Sequence, residues 1–348
     1  MKYTTTKHKL TMALVFCMAF AMTMTASNDN TSKGGQPSLA LPQKIAVIDA
    51  GSTGSRLKVY EIKADSSIQR LFPTNAEEKA RSKGGALSDV ANHPDSVRKY
   101  LEQMTSQCTL STGDTIPLYV LATAGMRHQD QDQANGVYSK MASIAESMNG
   151  FKLQQAMTIS GRYEGLYAWI AANYANRSLT VSPVGTFEIG GMSMQVAFRT
   201  TSTAVPADCM VTRKDWGTLY CKSYLNGGIN AVYAQTPDTL PFVFTLPVED
   251  ISAYCDTTSF VGCSSSVTIV LKGIAQYGSP EAYAQSLPRS NRYHTFMCAY
   301  YVPWVLEKLH ITGRVTPDPN DTDWTYGAAY DIVVNRQAPE PFDYTKAL

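Results

Sequence analysis

The stretch "TFEIGGMSMQVAFR", residues 186–199, reads as an apolar strand that ends on a carboxylate, turns at two glycines and resumes as an alternating strand. Earlier in the chain, "AVIDAGSTGSRLKVY", residues 46–60, has the same plan. Asp49 and Glu188 each close an apolar strand, Gly51 and Gly190 each sit two residues later, and an alternating strand leaves each turn. A strand–turn–strand written twice in matching register predicts two related lobes, and the helices that follow the strands make the fold class α/β. The two turns are expected to face each other across a cleft and to hold the two sides of one metal-bound polyphosphate.

The chemistry follows from the residue types. Gly, Ser and Thr clustered at a strand-to-strand turn expose backbone N–H groups and short hydroxyls toward one point, a nest that binds phosphate oxygens without a cationic side chain. "AGSTGS" (50–55) is rich in them, and "GGMSMQ" (190–195) supplies the second face. Asp49 and Glu188 have no adjacent basic residue in the sequence, and buried acids need a proton or a counter-charge. Mg²⁺ or Ca²⁺ would supply that charge, because hard cations prefer oxygen ligands. Hydrolysis also needs a base to orient and deprotonate water. Glu164, in the first turn of a helix opening at "SGRYEG", is the leading candidate, although an acid there also complements the helix dipole. Ser193 and Gln195 alternate on the strand after the second turn, so both face one side and could hold the attacking water.

The bulk numbers set the frame. At 348 residues the chain is too long for one ordinary core. With 30 Lys+Arg against 29 Asp+Glu the net charge is +1, so no overall basic field exists to hold nucleic acid. "MKYTTTKHK" followed by the apolar run "LTMALVFCMAFAMTMTA" reads as a cleavable signal peptide over residues 1–26, with a polar linker over 27–41. The run is short and weakly apolar for a retained span, so an exported protein without a stable membrane anchor is expected, secreted or periplasmic and monomeric. Cys17 would leave with the signal. Six cysteines then remain, at 108, 209, 221, 255, 263 and 298, and an even number in an exported protein suggests disulfides. Cys209 with Cys221 and Cys255 with Cys263 are the local pairs. The sequons at Asn30, Asn176 and Asn320 would carry glycans only in a eukaryotic secretory pathway.

Between the turns, residues 74–104 look helical at both ends, "IPLYVLATAGMR" (116–127) is a buried strand running into a glycine turn, and "GVYSKMASIAESMNG" (136–150) is an amphipathic helix closed by glycine. A helix over 161–177 buries Leu166, Trp169 and Ile170, with Ser160 as its cap. Residues 200–265 read as loop-rich. "RYHTFMCAYYVPWVLEKL" (292–309) is helical, with Pro303 expected to kink it or mark its true start, and "YGAAYDIVVNR" (326–336) begins a last short helix.

Taken together, "IDAGSTGSR", "LATAGMR", "YEGLYAWIAANY" and "GTFEIGGMSMQVAF" resemble the first four conserved regions of the nucleoside triphosphate diphosphohydrolase (apyrase) family, in the family's order, and "DWTYGAAY" resembles the fifth. The resemblance spans about residues 44 to 330. It implies two RNase H-like lobes of the actin, heat-shock ATPase and sugar-kinase superfamily with an active site between them: residues 42–160 plus 322–348 in one lobe and 161–321 in the other. It implies that Asp49 and Glu188 hold the metal through water. Gly51, Ser52, Thr53, Gly54 and Ser55 on one side, and Gly190, Gly191 and Met192 on the other, would grip the phosphates, with Thr123 and Ala124 lining the pocket and Arg56 reaching a phosphate. Glu164 becomes the catalytic base. Tyr300 or Tyr301 would be a platform for the base of the nucleotide. The fourth motif usually has Asp where this chain has Glu188, which is expected to alter metal preference, and Met192 replaces a small residue beside the phosphates.

The activity this implies is removal of terminal phosphates from nucleoside triphosphates and diphosphates by direct attack of water. Two other readings compete. An exopolyphosphatase of the same superfamily would want a basic channel that a near-neutral chain does not advertise. A catalytically weak nucleotide-binding receptor would have kept the turns and lost turnover. A serine hydrolase is set aside, since no GxSxG occurs.

Overall fold

The computed structural model describes residues 43–91, 93–111, 113–144, 148–175, 183–236, 242–287, 292–318 and 323–345. The signal peptide, the linker and all three sequons lie outside them. The first apolar strand, β1 (Gln43–Gly51), returns as β2 (Gly54–Ile62) through a turn whose two central residues are Ser52 and Thr53. Gly51 pairs with Gly54 and Asp49 with Arg56 across this hairpin. Gly54 has φ 141°, a conformation open to glycine, and a Cβ there would meet the Gly84 carbonyl oxygen at 2.7 Å. Beyond β2 lie β3 (Ile68–Phe72) and the two-residue β4 (Lys83–Gly84), both antiparallel to it. On the other side, β5 (Ile116–Ala122) runs parallel to β1 and β6 (Phe151–Thr158) parallel to β5, giving the order β3-β2-β1-β5-β6.

The second sheet repeats this plan. Strands β7 (Gly185–Ile189) and β8 (Ser193–Arg199) form the hairpin, with Glu188 opposite Gln195. Antiparallel β10 (Gly217–Leu225) adds beyond β8, and β9 (Met210–Arg213) extends the edge. Parallel β11 (Phe260–Gly262) and β12 (Val315–Pro317) continue from β7, so the order is β12-β11-β7-β8-β10-β9. Each sheet is therefore one carboxylate-ended hairpin, a third antiparallel strand, and two parallel strands on the far side. These are two related lobes, as the repeated hairpin predicts, and RNase H-like ones, as the family resemblance implies.

Helices α1 (Ala76–Arg81), α2 (Leu87–Ala91) and α3 (Val97–Thr105) precede β5. The short α4 (Ala124–Arg127) and α5 (Gln131–Ile144) lie between β5 and β6, and α6 (Gly161–Ala175) leads toward the second sheet. There α7 (Ile229–Gln235), α8 (Ser265–Tyr277), α9 (Pro280–Ser286) and α10 (Arg292–Lys308) cover one face, before the chain closes with α11 (Trp324–Val333). Each sheet has its own apolar cluster. A third cluster joins Ile45, Val47 and Tyr60 of the first sheet to Leu219 and Cys221 of the second through Leu166, Trp169 and Ile170 of α6 and Ala328 and Ala329 of α11. The α6–α11 crossing is close: a Cβ on Gly327 would lie 1.9 Å from the Tyr167 carbonyl oxygen. The chain's last described segment turns back onto β6 and α6, where Phe342 N–H donates to the Thr158 carbonyl and Glu340 pairs with Arg162 of α6.

One expectation needs correction. No disulfide forms among the described residues: Cys108, Cys209, Cys221, Cys255, Cys263 and Cys298 are all free thiols. Cys209 packs into the second lobe's own cluster while Cys221 packs into the shared central one, so the expected partners belong to different layers. The thiols of Cys255 and Cys263 instead donate to the carbonyls of Thr257 and Val261. The span 200–265 is loop-rich, as expected, with β9, β10 and β11 set among its loops. Of the two readings of Pro303, the helix start is excluded, because Pro303 lies inside α10, which begins at Arg292. Among the described residues no helix is long and apolar enough to cross a membrane.

Candidate active site

The two glycine turns meet. A Cβ on Gly191 would lie 2.6 Å from Thr53 Cγ2 and 2.8 Å from Ser52 Oγ, so the second turn comes right up against the first. Gly228 backs the second turn just as closely, since its Cβ would meet the Met192 nitrogen at 2.3 Å. Between the turns opens a cleft of about 350 Å³. Of the residues singled out in the sequence, Asp49, Gly51, Ser52, Thr53, Arg56, Thr123, Ala124, Glu164, Glu188, Gly190, Gly191, Met192 and Ser193 all line it.

Glu164 enters from the first turn of α6. Its Oε2 accepts from Arg127 Nη2 at 2.7 Å and from Gln195 Nε2 at 3.0 Å. Arg127, fully enclosed at the end of α4, is itself anchored by Nε donating to the Ile159 carbonyl at 3.0 Å. The Gln195 amide also lies within reach of Ser193 Oγ at 2.8 Å and Ser223 Oγ at 3.1 Å. Two donors thus occupy one oxygen of the carboxylate and fix its orientation, while Oε1 carries neither of them. Gln195 does not line the cleft. It stands behind Glu164 and acts on it, and Ser193 is the member of that strand face that reaches the open space.

The acids at the strand ends are short of counter-charge. Burial pushes Asp49 up to about 6, against the pull of Lys58 and Arg56. Burial, with Glu164 and Asp49 nearby, raises Glu188 well above the ordinary range, and its buried Oε2 has no hydrogen-bond partner. Asp323, the N-cap of α11, behaves oppositely. Burial alone would raise it, but Lys58 Nζ at 2.9 Å and the Thr325 hydrogen bonds hold it below the usual carboxylate range. An orphaned carboxylate oxygen facing a second carboxylate fits a divalent cation. No group of three or more acid, His or Cys side chains gathers into a cage among the described residues, so such an ion would keep much of its water.

Other expected residues sit elsewhere. Gly54 serves the hairpin conformation, and the Ser55 hydroxyl is buried, accepting from Tyr100 Oη at 2.7 Å. Tyr301 is enclosed in the second lobe, where Oη donates to the Gly227 carbonyl at 2.8 Å, and Tyr300 packs edge-on against Phe242 in a separate surface pocket. Neither is in the cleft. The structure adds Lys58, Arg70, Lys79, Asn230, Cys263, Ser264 and Asp323 to its walls. Only Asp323 had a readable local signal, as an acid immediately before a helix.

Two RNase H-like lobes with facing glycine turns and an acid at each strand end define a protein of the two-lobed actin-like ATPase fold. The chain belongs to the GDA1/CD39 (nucleoside phosphatase) family, whose pattern residues 43–240 match. It is 33% identical over 207 residues to probable apyrase 5 of Arabidopsis thaliana, covering 56% of this chain and 42% of that one. It is 28% identical over 205 residues to ectonucleoside triphosphate diphosphohydrolase 5 of Gallus gallus, covering 55% and 47%. The chain spans about a third to a half of the length of the curated relatives it matches. Among solved structures, an exopolyphosphatase from Cytophaga hutchinsonii superposes with a TM-score of 0.52 at 14% identity, over 84% of this chain and 98% of that one.

Proposed function

We propose that this chain is an exported, divalent-cation-dependent hydrolase that removes terminal phosphates from nucleoside triphosphates and diphosphates by direct attack of water. The observation that carries the reading is Glu164, clamped by Arg127 and Gln195 at the floor of a cleft whose opposite walls are the two glycine turns. The Ser52–Thr53 turn and the Gly190–Met192 turn bind and orient the terminal phosphate through backbone N–H groups and hydroxyls. Glu164 Oε1, the oxygen not held by Arg127 or Gln195, accepts a proton from the attacking water, and Ser193 beside it fixes that water's position. Asp49 and Glu188 would hold Mg²⁺ or Ca²⁺, which when bound neutralises phosphate charge. Little covalent chemistry is asked of the protein: positioning and charge do the work. The names of the relatives, an apyrase and a nucleoside triphosphate diphosphohydrolase, agree with this substrate class.

The test is orthophosphate release from ATP, ADP and AMP with Mg²⁺, with Ca²⁺ and with EDTA. Cleavage of ATP and ADP but not AMP, lost in EDTA, is the expected outcome. Nucleotide binding without release from any of them would make the protein a receptor.

A further inference from the structure

We propose that the cleft recognises the phosphate chain without requiring a base, so that inorganic tripolyphosphate is a substrate alongside nucleotides. This rests on the phosphohydrolase reading above. The walls of the cleft are unevenly built. Arg56 and Lys58 on β2, Arg70 on β3 and Lys79 on α1 all line it from the first lobe. Lys58 and Arg70 approach Asp323 at 2.9 and 3.9 Å, which keeps that acid from opposing an incoming anion at full charge. Glu164 is likewise paired from behind by Arg127. An anionic chain leaving the glycine turns therefore meets Arg56 and Lys79 beside the Lys58–Arg70–Asp323 group, and such charges attract every phosphate alike.

Among the described residues nothing comparable awaits a base. Trp324 is the one aromatic side chain lining the cleft among the described residues, and it is buried and already stacked on Tyr167, at 6.3 Å between centroids and 15° between planes. Tyr300 and Tyr301 face elsewhere. Stacking a base on an open aromatic ring tightens binding roughly ten- to a hundred-fold, and these walls do not offer one. Selectivity is thereby left to the phosphates.

On tripolyphosphate the reaction balances without a nucleotide. The water oxygen bonds to the terminal phosphorus, the bond from that phosphorus to its bridging oxygen breaks, and pyrophosphate leaves with the electron pair. Glu164 takes the water proton, and orthophosphate is released.

The experiment measures kcat/KM for tripolyphosphate and for ATP on the full chain with Mg²⁺, and repeats both on Arg56→Ala and Lys79→Ala. The expected result is two wild-type values within about tenfold of each other, with each substitution raising both KM values by a similar factor. Cleavage of ATP with tripolyphosphate below about one-hundredth of it would overturn the proposal while leaving the nucleotidase reading intact. Cleavage of tripolyphosphate alone would overturn the nucleotide reading and, with it, the shared use of the cleft proposed here. Release from neither would overturn both.

Discussion

At the residue scale, the proposed reaction depends on how Glu164 is held. Arg127 and Glu164 form an enclosed pair with side chains 2% and 9% exposed, joined at 2.7 Å. Removing one partner leaves the other charged and unmatched in the interior, which costs about 3–5 kcal/mol. Arg127→Ala should therefore lower the urea midpoint markedly, and Arg127→Met with Glu164→Gln should recover most of that loss while turnover stays absent. Equal stability of Arg127→Ala and wild type would show that the pair does not form. Gln195 acts by positioning: Gln195→Ala should reduce kcat by about ten- to a hundred-fold with little change in KM, because the misplaced group is the base and not the phosphate grip. A raised KM at unchanged kcat would instead place Gln195 on the substrate. Of this arrangement, Glu164, Ser193 and Gln195 were legible as residues, since their motifs are local. Their connections were not. Arg127 lies 37 positions from Glu164, and Ser223 lies 28 from Gln195, so both contacts exist only once α4 and β10 are folded against α6 and β8.

At the scale of elements, close backbone approaches decide what the sequence tolerates. Gly327 lets α11 cross α6 with its Cα where a Cβ would sit 1.9 Å from the Tyr167 carbonyl. Gly327→Ala must separate the helices that carry the central cluster, and a loss of about 1–3 kcal/mol in chemical denaturation is expected. An unchanged midpoint would mean that the helices are not so closely crossed. Both hairpins were readable because each has one apolar strand, one acid and one glycine turn in fixed order. Strand β10 was hidden by its own burial. Tyr220 and Tyr224 pack on one side, Leu219 and Cys221 on the other, so both faces are apolar and the alternation that reveals a half-buried strand disappears. With three residues each, β11 and β12 are too short to show a period.

At the scale of the whole molecule, the repeat in the sequence is the repeat in space: two sheets of the same order, two turns, one cleft. The thiols show what linear spacing cannot tell. Cys209 and Cys221 are near neighbours along the chain, yet they pack into different apolar layers. The thermal midpoint should accordingly be the same with and without reductant, and thiol titration in denaturant should find all six of Cys108, Cys209, Cys221, Cys255, Cys263 and Cys298 reactive. A midpoint that falls on reduction would reveal a covalent link that this fold does not contain. The central claim is that the lobes bring a held water-activating carboxylate to a phosphate gripped by two facing turns. Its most direct test is Glu164→Gln, a change of one atom, assayed for both ATP turnover and ATP binding. The account predicts turnover lower by about 10²–10⁴-fold with binding retained; normal turnover in that variant would contradict it.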